Sequence, residues 1–317
     1  MADRGPFARP ALSPAAGERG LERSPAPRRA GAVALVIAEP FDLIFNDPYL
    51  ARLVRGLDDV LQQRELQLLV VGAPSGTESR RAERYLTSGS VDGAVLVSVP
   101  GAHPLPAALV ARGIPLVFAG RPSNAERFSY VDVDNVAGAA HAVAHLASGG
   151  RRSIATITGR RDIAAGEDRL RGYREGLAAA GLEVDQALIE PGDFTRAGGM
   201  RAMRFLLIKR PQLDAVFVAS DLMAAAALEV LAEAGRRVPE DVAVVGFDDD
   251  PMAATLQPPL TSVRQPVEEQ GREMGRLVLS ALSAPGQPPR KVILTTRLEV
   301  RLSSAPTAGN LSVRLRA

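Results

Sequence analysis

GAVALVIAEPFDLIFNDPYLARLVRGLDDVLQQR, residues 31–64, decides how the rest of the chain is read. It begins with a short apolar run that ends in a turn signal. After a loop, Leu50, Leu53, Val54, Leu57, Val60 and Leu61 recur on one face of a helix. The unit is strand, loop, helix. Outward from it the alternation continues: QLLVVG, a polar helix near Thr77 to Ser88, VDGAVLVS, the segment LPAALVARG, PLVFAG, and a helix from Asn135 through Ala147. A second series follows, with SIATIT, helices around Arg169 to Ala180 and Ala197 to Arg210, AVFVAS, a helix from Leu222 to Ala234, and VAVVGFDD. Near-continuous apolar strands separated by helices mean parallel sheets covered on both faces. The expected fold class is α/β, and two doubly wound units fit a chain of 317 residues.

VDGAVLVSVP at Val91 and LDAVFVASDL at Leu213 echo one another, each with an acid, an apolar run and a serine. The echo is weak support for two like lobes, because buried strands resemble one another. After Thr261 come the helical stretch PVEEQGREMGRLVLSALS and two strand-like runs, KVILT and TRLEVRLS, which could complete either sheet. From Met1 to about Ala30 scattered prolines interrupt any period, and the stretch reads as a disordered arm.

With 46% hydrophobic and 23% charged residues, the composition is that of a globular protein with a sizeable core. The 38 basic and 36 acidic side chains are too evenly matched for a general phosphate-binding surface. Cysteine is absent, which excludes disulfides, thiolate nucleophiles and cysteine-ligated metals. No run is long enough to span a membrane, and the first thirty residues lack the apolar core of a secretory signal, so the expected location is cytoplasmic. His141 and His145 stand four apart on a helix without a third ligand, GRRDIAAGEDR lacks the GK[ST] of a phosphate loop, and no G-x-S-x-G elbow occurs. No enzymatic activity, metal or cofactor is expected.

In open parallel sheets a ligand lies beyond the carboxyl ends of the strands. The polar residues after the first-series strands are Asn46, Asp47, Ser75, Ser98, Arg121, Asp134 and Asn135; those after the second-series strands are Ser220, Asp221, Asp248 and Asp249. Such a lining suits an uncharged polyol: carboxylates accept hydroxyl hydrogens, an Arg fork donates to two oxygens, and an aromatic ring packs on a sugar's C–H face. Tyr49 and Phe194 are the candidate rings. Asp134 and Asp221, each before a helix, are equally readable as N-caps.

At these same residues the chain resembles the lactose-repressor/galactose-repressor family of transcriptional regulators, from about Gly31 to Ser304. The similarity is carried in order by FNDPYLARLVRGL, VDGAVLVS, GIPLVFAGR, VDVDNVAGAAHAVAHL, RLRGYREGL, GDF, and ASDLMAAAALEVLAEAGRRVPEDVAVVGFDDDP. PPLTSVRQP and LEVRLSS complete the set. The resemblance implies two flavodoxin-like, periplasmic-binding-protein-like lobes joined by three crossings, a small-molecule effector between them, expected from the chemistry of the lining to be a sugar, and a homodimer. The implied N-lobe is 31–149 plus 266–289, the C-lobe 150–265 plus 290–306, with an arm at 1–30 and a tail at 307–317. It implies effector contacts for Asp134 as the acid of the DN pair, Arg169 of RLxG, Asp248 of GFDD, and Phe194 after GD. Ser75 and Gln265 match further lining positions. Ser220 departs from the pattern, which usually has Asn before this Asp. The family carries a helix-turn-helix and hinge helix ahead of the core, and no such head is recognisable here, so operator DNA is expected as a partner only where the full-length protein has one. The alternative reading is a stand-alone sugar-binding protein of the periplasmic type, which would need an export signal.

Overall fold

The computed structural model describes residues 30–39 and 48–305. The expected arm, the expected tail and the candidate site residue Asn46 lie outside the described residues. The first sheet comprises β1 (Ala32–Ile37), β2 (Gln67–Gly72), β3 (Gly93–Val97), β4 (Leu116–Ala119) and β5 (Ser129–Val133). The second comprises β6 (Ile154–Thr158), β7 (Ile189–Pro191), β8 (Ala215–Val218), β9 (Ala243–Asp248) and β10 (Thr261–Arg264). β11 (Lys291–Leu294) and β12 (Arg297–Glu299) add one edge each, giving the orders β2-β1-β3-β4-β5-β11 and β7-β6-β8-β9-β10-β12. The first five strands of each sheet follow the flavodoxin-like order 2-1-3-4-5. Every pairing is parallel except that of β12 with β10.

The helices are α1 (Pro48–Leu61), α2 (Gly76–Leu86), α3 (Leu105–Ala111), α4 (Asn135–Ser148), α5 (Ala164–Ala179), α6 (Arg196–Lys209), α7 (Asp221–Glu233) and α8 (Val267–Ser283). Central strands are buried on both faces, so alternate residues enter different cores. Val33, Leu35 and Ile37 pack with α1 and α8, whereas Ala34 and Val36 pack with α2 and α3. In the second lobe Ala155 and Ile157 face α6 and α7, and Ile154 faces α4 and α5. This two-sided burial is why the strands read as continuous apolar runs.

Two boundaries differ from expectation. α4, placed by the sequence reading in the first lobe, contributes Ala139, Ala142, Val143 and Leu146 to the second lobe's core, against Tyr173, Phe217 and Phe247. The first crossing therefore falls between Val133 and Asn135. β11, expected in the second lobe, pairs with β5 in the first sheet from Lys291↔Tyr130 to Leu294↔Val133. The other crossings join β10 to α8 and β11 to β12. The two strand-like runs near the carboxyl end thus serve one sheet each, which periodicity had no means to decide.

Each lobe pairs the helix after its first strand with a helix delivered by a crossing: α1 with α8, and α5 with α4. Both pairs need glycine. A Cβ at Gly56 would stand 1.9 Å from the Glu268 carbonyl oxygen, and one at Gly172 would stand 2.2 Å from that of Val136. Backbone cannot yield as a flexible side chain does. Gly56→Ala and Gly172→Ala should each cost about 1–3 kcal/mol or more, read as a thermal midpoint several degrees lower. A midpoint unchanged by both would mean that the helices are not in backbone contact.

Candidate effector-binding site

The carboxyl ends of the two sheets face each other across the crossings, and between them lies a cleft of about 930 Å3, open to solvent. The first lobe lines it with Glu39, Tyr49, Ser98, Arg121, Asp132 and Gln270; the second lines it with Arg169, Phe194, Ser220, Leu222 and Asp248. Asn135 and Gln265 come from the crossings. Three lining residues, Ser98 (φ +54°), Phe194 (φ +66°) and Asp248 (φ +117°), hold left-handed backbone that L side chains rarely adopt. Such strain persists only where the surroundings over-determine it.

Arg169 is the centre of the polar lining. Helix α5 starts five residues earlier than the sequence reading placed it, so Arg169 sits in its second turn, with its side chain directed at the sheet edge. Its Nε donates to Asn135 Oδ1 at 2.8 Å, and Nη1 donates to the Ala219 carbonyl at 2.5 Å and to Asp248 Oδ1 at 3.4 Å. Nη2 has no protein acceptor among the described residues. The guanidinium lies 3.7 Å from the centroid of the Phe247 ring and 5.7 Å from that of Phe194, an arrangement that favours a cation on the aromatic faces. Gln265 Nε2 donates to the same Asp248 oxygen at 2.5 Å. Asn135 in turn donates to Asp132 Oδ1 at 3.0 Å, and Asp132 accepts backbone N–H groups of Val133 and Arg121. A continuous chain of bonds thus runs from β5 through the first crossing to Arg169 and Asp248.

Of the expected site residues, Tyr49, Arg169, Phe194, Ser220, Asp248 and Gln265 are brought together. Ser220 has two tasks, since its Oγ also caps α7 by accepting from Met223 N–H at 3.4 Å. Asp134 does not line the cleft. It is exposed, and its carboxylate caps α4 by accepting from Ala137 N–H at 2.9 Å, so of the two readings open for it the cap holds. Its neighbours two before and one after, Asp132 and Asn135, take the inward positions. Ser75 is exposed at the start of α2 and is likewise not in the lining. Sequence reasoning missed Asp132 because it sits inside the run SYVDV, where alternation with apolar neighbours was the only available signal. It missed Gln270 because α8 reads as a packing helix; Gln270 accepts from Tyr49 Oη at 3.1 Å.

The charges are paired. Arg121 donates to both oxygens of Asp168 at 2.8 and 2.6 Å, and Arg160 reaches Glu39 at 3.4 Å; each pair joins the two lobes. Beneath the cleft Asp221 is fully buried, accepting from Ser262 Oγ at 2.6 Å and Asp250 N–H at 2.9 Å. Burial, aided by the negative charge of Asp248, pushes its carboxyl well above the ordinary range. Burial also raises Asp132, against the backbone donors that lower it. Raised folded-state values mean stability that is fully present below the unfolded pKa of about 3.9 and is lost as pH rises through the folded values. Asp221→Asn removes this penalty and keeps one acceptor. It should raise the thermal midpoint more at about pH 8 than at about pH 5, and a gain equal at both would show that Asp221 does not titrate differently on folding.

The pattern of the periplasmic binding protein-like domain matches residues 143–304. The regulator CelR of Thermobifida fusca is 47% identical over 278 residues, covering 87% of this chain and 82% of that protein. The repressor CytR of Escherichia coli K12 is 31% identical, covering 74% and 70%. Among solved structures, a CelR–cellobiose complex superposes with a TM-score of 0.85 at 47% identity, over 88% of this chain and 86% of that one. A LacI-family regulator from Mycobacterium smegmatis superposes with a TM-score of 0.76 at 27% identity, over 86% and 99%. The chain belongs to the lactose-repressor (LacI) family of HTH-type transcriptional regulators, and its two lobes are the family's periplasmic-binding-protein-like core. Among the described residues no helix is long and apolar enough to cross a membrane.

Proposed function

We propose that this chain senses a neutral sugar, a disaccharide of the cellobiose kind, between its lobes, and passes its presence to the geometry of a homodimer and thence to operator DNA. The observation that carries the reading is the Arg169 clasp. Two of its guanidinium nitrogens are committed to orientation, and the third is left to bind a ligand oxygen, with Asp248, Asn135 and Gln265 around it. Phe194 and Tyr49 supply aromatic faces. The cationic side chains at the cleft, Arg169, Arg121 and Arg160, each have a carboxylate partner, which favours a polyol over a phosphorylated ligand. A relative 47% identical was solved with cellobiose. Effector and homodimer geometry are linked because a ligand shifts the lobes only by its differential affinity for their two arrangements.

Calorimetric titration of the chain with cellobiose, glucose and glucose 6-phosphate tests this. Cellobiose should bind saturably and more tightly than glucose, and the phosphate should bring no gain; tighter binding of the phosphate would overturn the neutral-sugar reading. Arg169→Ala should remove detectable cellobiose binding. Arg169 also serves the fold, because its side chain is 5% exposed and orders Asn135 and Asp248. Its loss leaves Asp248 buried without its cation, and about 3 kcal/mol of stability should go with it.

A further inference from the structure

Asp248, whose carboxylate faces the cleft, is the last residue of β9, at the point where the backbone leaves the regular strand. Asp248 and Asp249, with φ of +117° and +50°, are consecutive non-glycine residues in left-handed backbone. The second lobe holds one side of this turn: Asp249 N–H donates to Ser262 Oγ at 3.0 Å, Asp250 N–H to Asp221 Oδ2 at 2.9 Å, and Arg301 pairs with Asp249 at 2.6 Å. Among the described residues, Arg52 of α1 meets the other side from the first lobe. Its Nη1 points at the carbonyl oxygens of Asp248 and Asp249, at 3.5 and 3.4 Å, and at Asp250 Oδ1 at 3.2 Å. Its Nε and Nη2 are held by the Glu268 carboxylate at 2.9 and 3.1 Å. Arg52 is not in the cleft lining, and its side chain is only 14% exposed.

We infer that Arg52 is a positioning residue that couples lobe closure to effector affinity by holding the Asp248–Asp250 turn in its binding geometry from the opposite lobe. Arg52 and Glu268 both belong to the first lobe, so the guanidinium is fixed before it meets the turn. When the lobes part, it leaves with α1 and α8, and two carbonyls and the Asp250 carboxylate lose their shared donor. The left-handed backbone at Asp248 and Asp249 then loses this restraint from the first lobe. A closed cleft presents a pre-organised carboxylate, and an open one does not. The inference rests on reading the cleft as the effector site, but the restraint on the turn exists without ligand.

The test uses the full chain with Arg52→Gln and Arg52→Lys. Hydrogen exchange of the ligand-free proteins reports the Asp249 and Asp250 amides. Exchange there should be about tenfold faster in Arg52→Gln and intermediate in Arg52→Lys, whose point charge keeps the Asp250 pair but cannot span the carbonyls. Cellobiose titrated well below either melting temperature should bind about tenfold or more weakly to Arg52→Gln. Unchanged amide exchange in both variants would overturn the inference. So would a lower midpoint accompanied by unchanged exchange and unchanged affinity, since Arg52 would then be a plain structural tie. If the parent chain fails to bind cellobiose, the sugar reading falls, and the ligand-free exchange still decides the role of Arg52.

Discussion

Parallel strands cannot be joined by hairpins; each needs a crossover that carries the chain back along the sheet before the next strand begins. Every β-strand in a sheet so wound therefore ends on the same edge, and that edge collects the polar turns and helix starts. In this molecule two such edges, from β1–β5 and β6–β10, are set facing one another by three crossings. The cleft follows from that opposition. So does the placement of Asn135 and Gln265 in the crossings themselves, where a side chain touches both lobes' business at once.

The helix pairs α1–α8 and α4–α5 make the opposition stable. Each brings together a helix of a lobe and a helix that arrives through a crossing, at a separation only glycine allows. Whatever moves one lobe against the other must therefore work through the crossings and the polar contacts over the cleft, because the helix pairs travel with their own lobes as packed units. The cross-lobe contacts are charged and directional, such as Arg121 with Asp168.

Electrostatics beneath the cleft run against folding. Asp221, Asp248 and Asp250 lie close together and largely buried, with proton affinity raised at Asp221 and Asp250. Three buried acids are a poor choice for stability alone, and together with the left-handed turn at Asp248 and Asp249 they mark where the molecule gives up stability to keep a carboxylate facing the cleft.

The residues by themselves determined the fold class, the two-series layout and most of the cleft. Buried parallel strands and amphipathic helices leave periodic marks, and strand-end positions follow from the winding. Arg169, Asp248, Phe194, Tyr49, Ser220 and Gln265 were all legible in this way or through family resemblance. Tertiary structure alone decided that α4 belongs to the second lobe and β11 to the first, because an apolar helix face or a short strand fits either neighbour equally well. It also decided between Asp132, Asp134 and Asn135. Those three lie within four residues of one another, and which carboxylate turns inward depends on where β5 ends and α4 begins in space: Asp134, at the cap, bonds its own helix, while Asp132 is carried inward by the pleat of the strand.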